Sequence, residues 1–124
     1  MDKRHAYRIQ LVQKLFPLGF EGIKQDANVK NDEMLSSIVK NLKKIDTLIQ
    51  KYAPRYPLKK IAKIDLSILR LSVYELVIEK KHPPKVVIDE AVTLAREFGN
   101  EKSYSFVNGV LGSVLKDSNK NEVS

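Results

Sequence analysis

Between Ile64 and Leu115 three segments follow one another, IDLSILRLSVYEL, HPPKVVIDEAVTLAREFG and KSYSFVNGVL. This run constrains the fold more than any other part of the chain. Ile68, Leu69, Val73, Leu76 and Val77 recur at three- and four-residue spacing in the first. Val87, Ile88, Ala91, Leu94, Ala95 and Phe98 do so in the second, and Phe106, Val107, Val110, Leu111 and Val114 in the third. That period puts each apolar set on one face of a helix, whereas a half-buried strand needs strict alternation. Pro83 and Pro84 separate the first two helices, and Pro84 suits a first helical turn, where its missing N–H is not needed. Gly99 is a natural stop for the second. Asp65 is placed to cap a helix from Leu66 to about Lys80, and a last helix is expected from about Glu101 to Lys116.

Upstream, Ile9, Leu11, Val12, Leu15 and Phe16 mark a helix from about Asp2 to Leu18, ended by Pro17 and Gly19. Glu21 to Lys30 is polar and weakly patterned and reads as a loop. Asn31 or Asp32 can cap a second long helix, whose stripe is Leu35, Ile38, Leu42, Ile45 and Ile49, ending before Pro54. Pro57 opens a short helical turn, Leu58 to Ala62. No segment alternates as a strand would, so the chain reads as an all-α bundle. Its 124 residues make one domain, residues 1–118, with a polar, frayed tail over 119–124.

The same polarity pattern excludes several functions. There is no cysteine, hence no disulfide or thiolate metal site. His5 and His82 have no partner at ligand spacing, so no metal and no cofactor is expected. No apolar run approaches the ~18 residues that would span a bilayer, and the N-terminus lacks a signal-peptide core. These features, with the missing thiols, suit a cytoplasmic protein. Ser103 has no nucleophile setting, and the adjacent Asp89 and Glu90 diverge on a helix instead of forming an acid–base pair. No catalytic signature is present. The formal net charge of +7 makes a polyanion a plausible partner. The cations concentrate at Lys40, Lys43, Lys44, Lys51, Arg55, Lys59, Lys60 and Lys63, with a second group at Lys3, Arg4 and Arg8.

The remaining candidates are the polar residues set into the apolar helices: Asp65, Arg70, Glu75, Asn108 and Gly109. Arg70 either forms a salt bridge to Glu75 or another carboxylate, or presents a fixed guanidinium to a phosphate or partner acid. Gly109 and Gly112 would let another helix approach closely, and Asn108 would satisfy a backbone group there. Phe106 and Tyr104 are either core or stacking platforms for an unpaired base.

The blocks IDLSILRLSVYEL, PPKVVIDEAVTLAREFG and Ser103-x-x-FVNGVL, in this order and at this spacing, resemble the NusB transcription antitermination family. NLKKIDTLIQKY is more weakly similar, and Tyr56 falls where the family often has Trp. Arg4 and Arg8 match the family's arginine-rich start, while His5 stands at a usual arginine and Tyr7 at a usual alanine. The resemblance implies about six to seven helices in two packed subbundles and a non-enzymatic factor. It implies binding of single-stranded boxA-type RNA with the ribosomal protein NusE, within a transcribing RNA polymerase complex on ribosomal RNA operons. Some relatives form homodimers, and the resemblance leaves that possibility open. Carried over by position, Lys3, Arg4, Arg8, Arg70, Lys102 and Phe106 are the RNA-binding candidates. Asp65, Phe16 and Tyr74 are the partner-binding candidates. The alternative reading is a protein-interaction module with little or no RNA binding of its own.

Overall fold

A computed structural model describes residues 2–18 and 32–123, with side chains through residue 118. Six α-helices and no strand occur among the described residues: α1 (Lys3–Leu15), α2 (Glu33–Lys40), α3 (Leu42–Tyr52), α4 (Lys63–Val73), α5 (Pro84–Phe98) and α6 (Ser103–Val123). Short 3-10 turns follow α1 (Phe16–Leu18) and precede α4 (Leu58–Lys60). The loop expected over Glu21 to Lys30 lies outside the described residues.

α4 is the central helix and packs against α1, α3, α5 and α6. Every residue from Asp65 to Leu76 is buried, because neighbours surround it on all sides. The apolar stripes meet it in one continuous core, with Leu11, Leu15, Leu35, Ile38, Ile45, Ile49, Leu94, Ala95 and Leu111 at 0–1% exposure. Burial of such side chains contributes roughly 1.5–3 kcal/mol each, which offsets the entropy lost on ordering the helices.

Several boundaries differ from expectation. The long helix expected before Pro54 is two helices, broken at Asn41, whose backbone leaves the helical region (φ −101°, ψ 8°). Its side-chain amide donates to the Ser37 carbonyl at 2.8 Å, a local bond that competes with regular helix at this position. Asp32, rather than Asn31, caps α2, accepting from the Leu35 N–H at 3.0 Å. Asp65 does not cap α4: Ala62 holds that position and Asp65 lies inside the first turn. α4 runs on into a widened π-helical turn, Tyr74–Glu79, and stops at Lys80, which adopts a left-handed conformation (φ 54°). Gly99 ends α5 with extended backbone, so it is not needed there for a left-handed cap. The reason for glycine is contact, since a Cβ would lie 2.3 Å from Ser103 Oγ and 2.7 Å from the Ala95 carbonyl. α6 continues past Lys116 to Val123.

Candidate nucleic-acid interface

Three charged links join the helices, two of them in the interior and one at its edge. Arg8 on α1 grips Glu75 with Nε at 3.1 Å and Nη2 at 2.9 Å from the two carboxylate oxygens. Arg70 on α4 meets Asp46 on α3 the same way, Nε to Oδ1 and Nη2 to Oδ2, both at 2.9 Å. His5 sits between two glutamates of α5, Nδ1 at 2.6 Å from Glu90 and Nε2 at 3.0 Å from Glu97. The hydrogen bond to Glu90 is the main reason the His5 pKa is raised, with burial opposing and Glu97 adding to it.

These links hold Arg8 and Arg70 inside the protein. Arg70 is 0% exposed and Arg8 4% exposed, so neither guanidinium faces solvent to meet a phosphate. The open choice for Arg70 resolves to an ion pair, with Asp46 rather than Glu75. Tyr74 is buried and donates its hydroxyl to Ser37 Oγ at 2.8 Å, which removes it from a partner surface. Asp65 is buried too. One of its oxygens has no hydrogen-bond partner among the described residues, and burial raises its pKa against an opposing hydrogen bond from Ser103. Phe16 is exposed (42%) and lines an apolar groove of about 210 Å³ with Ile9, Val12, Gln13, Ile64 and Phe98. Lys3, Arg4 and Lys102 are exposed.

The turn before α6 explains how Lys102 and Phe106 are presented. The Asn100 N–H donates to Ser103 Oγ at 3.0 Å, and the Lys102 N–H donates to Asn100 Oδ1 at 2.8 Å. Side chains thus satisfy backbone donors in the turn that leads into α6 and fix its conformation. Lys102 projects from this turn, and one turn later comes Phe106, half-buried. Its ring meets the exposed ring of Tyr56 edge-to-face, centroids 5.3 Å apart at 75°. The two rings stand in an open groove of about 300 Å³, lined also by Tyr52, Arg55, Ser105 and Gly109. Nearby on the same helix, the Arg96 guanidinium of α5 lies 4.1 Å from the centre of the Tyr104 ring.

Gly109 and Gly112 do not serve helix contact. A Cβ at either would meet nothing within 4 Å, and Asn108 is exposed rather than bonded to a buried backbone group. Gly109 lines the same groove as Phe106. The sequence pattern did not place Arg55 and Tyr56 beside Phe106. The available signal was a basic and aromatic stretch beside Pro54 and Pro57.

The NusB family model matches residues 8–116. This chain belongs to the NusB family of transcription antitermination proteins. It is 41% identical over 109 residues to the transcription antitermination protein NusB of Caldicellulosiruptor saccharolyticus, covering 83% of each chain. It is 32% identical to that of Bacillus licheniformis, covering 93% of this chain and 98% of the relative. Among solved structures it matches T. maritima NusB with a TM-score of 0.79 and 32% identity, over 93% of this chain and 92% of that one. The family membership agrees with the all-helical fold and gives a binding factor rather than an enzyme. No described helix is long and apolar enough to cross a membrane.

Proposed function

We propose that this protein binds single-stranded boxA-type RNA together with the ribosomal protein NusE, and so supports processive transcription of ribosomal RNA operons by the RNA polymerase complex. It acts as one unit over residues 1–118, in the cytoplasm. The observation that supports the RNA reading most is the Tyr56–Phe106 groove beside Arg55. An aromatic pair in an open groove can stack an unpaired base, and a guanidinium at its edge can meet the adjoining phosphate. Lys102, Lys3 and Arg4 add phosphate attraction without reading sequence. A small set of contacts gives weak binding alone, and a partner carrying its own RNA surface raises it by effective concentration.

The alternative, a protein-interaction module with little RNA binding, draws support from two observations. Arg8 and Arg70 are internal, and Phe16 opens an apolar groove suited to a protein partner. The two readings differ in one titration. With the purified protein, Phe106→Ala lowers affinity for boxA-type RNA on the RNA reading and leaves NusE binding intact. NusE binding with no RNA-dependent gain supports the alternative.

A further inference from the structure

From Lys51 to Lys63 the chain reads KYAPRYPLKKIAK, five cations and no acid. Lys51, Arg55, Lys59, Lys60 and Lys63 are all exposed. Exposed lysines alone describe any solvated surface, and three further observations set this strap apart.

Its conformation is held. Gln50 on α3 donates from Nε2 to the Tyr56 carbonyl at 2.7 Å and accepts the Leu58 N–H on Oε1 at 3.1 Å. The Lys60 N–H donates to the Pro57 carbonyl at 2.8 Å, and Ile61 is buried in the core. The cations therefore project from a fixed turn. Their charge is also largely unneutralised. Among the described residues, Lys51 alone of the five reaches a carboxylate, Asp117 at 3.7 Å, and Lys63 lies over the Phe16 ring at 5.9 Å. Clustered like charges oppose folding through self-repulsion, and a polyanion relieves that repulsion. Finally, the strap is continuous with the aromatic groove, since Ala53, Pro54, Arg55 and Tyr56 form one wall of it and Ser105, Phe106, Gly109 and Val110 the other.

We propose that the strap is a second RNA-binding surface, on which the phosphodiester chain of a single-stranded RNA leaving the Tyr56–Phe106 groove runs along Arg55, Lys59 and Lys60. This rests on the RNA-binding reading above and extends it to residues that the family resemblance did not supply. An acidic protein would match the charge but leave the aromatic groove unfilled, whereas RNA supplies phosphates and bases at adjoining positions.

The test compares full-length protein with the triple variant Arg55→Gln/Lys59→Gln/Lys60→Gln. A control, Lys14→Gln/Lys80→Gln/Lys85→Gln, removes the same charge from exposed positions elsewhere. Binding of a fluorescein-labelled boxA-type RNA of about 12 nucleotides is followed by anisotropy across salt concentrations, with NusE present. Each phosphate neutralised contributes about 0.7 to the slope of log affinity against log salt. The strap variant is expected to lose about 2 from that slope and about 100-fold in affinity near 0.1 M salt, with the control close to wild type. A shortened RNA of about 6 nucleotides narrows the gap between strap variant and wild type. Should the triple variant melt below the assay temperature, Lys59→Gln alone gives a slope loss of about 0.7. An unchanged slope in the strap variant, with wild type and variant binding RNA equally, overturns this inference and leaves the RNA reading standing. Equal losses in the control also overturn it, as does a strap variant that loses binding only to NusE or to phosphatidylserine vesicles. Wild-type protein that binds no RNA with or without NusE overturns both.

Discussion

His5 is a charged clamp between α1 and α5, and its removal has a calculable consequence. Both ring nitrogens face carboxylates, at 2.6 and 3.0 Å, so both must carry a proton for the two contacts to be hydrogen bonds. The residue is 9% exposed, while the side chains of Glu90 and Glu97 are 24% and 38% exposed. A charge-assisted bond contributes about 1.5–3 kcal/mol. The Glu97 bond is discounted for solvent screening, and the imidazole loses hydration on burial. A net contribution of about 1.5–2 kcal/mol remains. For 124 residues, 1 kcal/mol corresponds to about 4 °C in Tm, so His5→Gln lowers Tm by about 6–8 °C near pH 6.

The pH dependence has a definite sign. The folded pKa is raised above the ordinary value of 6.5. The clamp's stabilisation is therefore full below that value and is lost as pH rises through the raised folded value. Arg8, one turn along α1, also feels Glu90, but stays charged throughout and does not alter the sign. Thermal melts of wild type and His5→Gln at about pH 6 and about pH 9 measure the effect. The gap should shrink at the higher pH, and His5→Arg should keep the clamp with a flat pH response. An equal gap at both values, or an NMR titration placing His5 at or below 6.5, refutes the reasoning.

Other substitutions probe the interior and the groove. Asp46→Asn removes the charge facing buried Arg70 and should cost about 3–5 kcal/mol, read as a fall in Tm above about 10 °C, with the double replacement Asp46→Leu/Arg70→Met recovering much of it. Asp65→Asn should be neutral to stabilising near pH 7, because burial disfavours its charge and raises its pKa. The ionised group's cost fades as pH falls through that raised value, so urea midpoints of wild type and variant should converge in acid. Gly109→Ala meets no described residue and gains up to about 1 kcal/mol of helix propensity, yet its methyl adds to the lining of the groove that Phe106 shares. Higher Tm with weaker RNA binding is the expected pair of results.

The helices were legible because burial repeats every three or four residues, and the stripes of α1, α5 and α6 are buried where the pattern puts them, except that Phe16 and Phe98 at their ends are exposed. The break at Asn41 was not legible. Ile38, Leu42 and Ile45 stay in helical phase across it, so periodicity cannot register a local turn. The π-helical turn after Val73 is equally silent, since widening a turn changes no composition. Arg8 and Glu75 are 67 residues apart in the chain, and nothing local announced their pairing. An arginine matched to a basic family position thus looked like a surface residue and proved internal. The glycines of α6 failed differently. Small size permits close approach, but only the neighbours decide whether anything approaches, and no described residue does. Phe106 and Lys102 stood out in the sequence, whereas the apposition of Tyr56 and Arg55 with Phe106 appears only once the strap is folded against α6.

If the Tyr56–Phe106 groove holds an RNA base and NusE strengthens the contact, anisotropy titration of a labelled boxA-type RNA with wild type and Phe106→Ala, each with and without NusE, registers both effects. Stacking on one aromatic ring contributes about 1–3 kcal/mol, so Phe106→Ala should weaken binding by about 5- to 150-fold in the presence of NusE. Its circular dichroism and NusE affinity should be unchanged. RNA affinity equal to wild type in a folded Phe106→Ala protein would contradict the account.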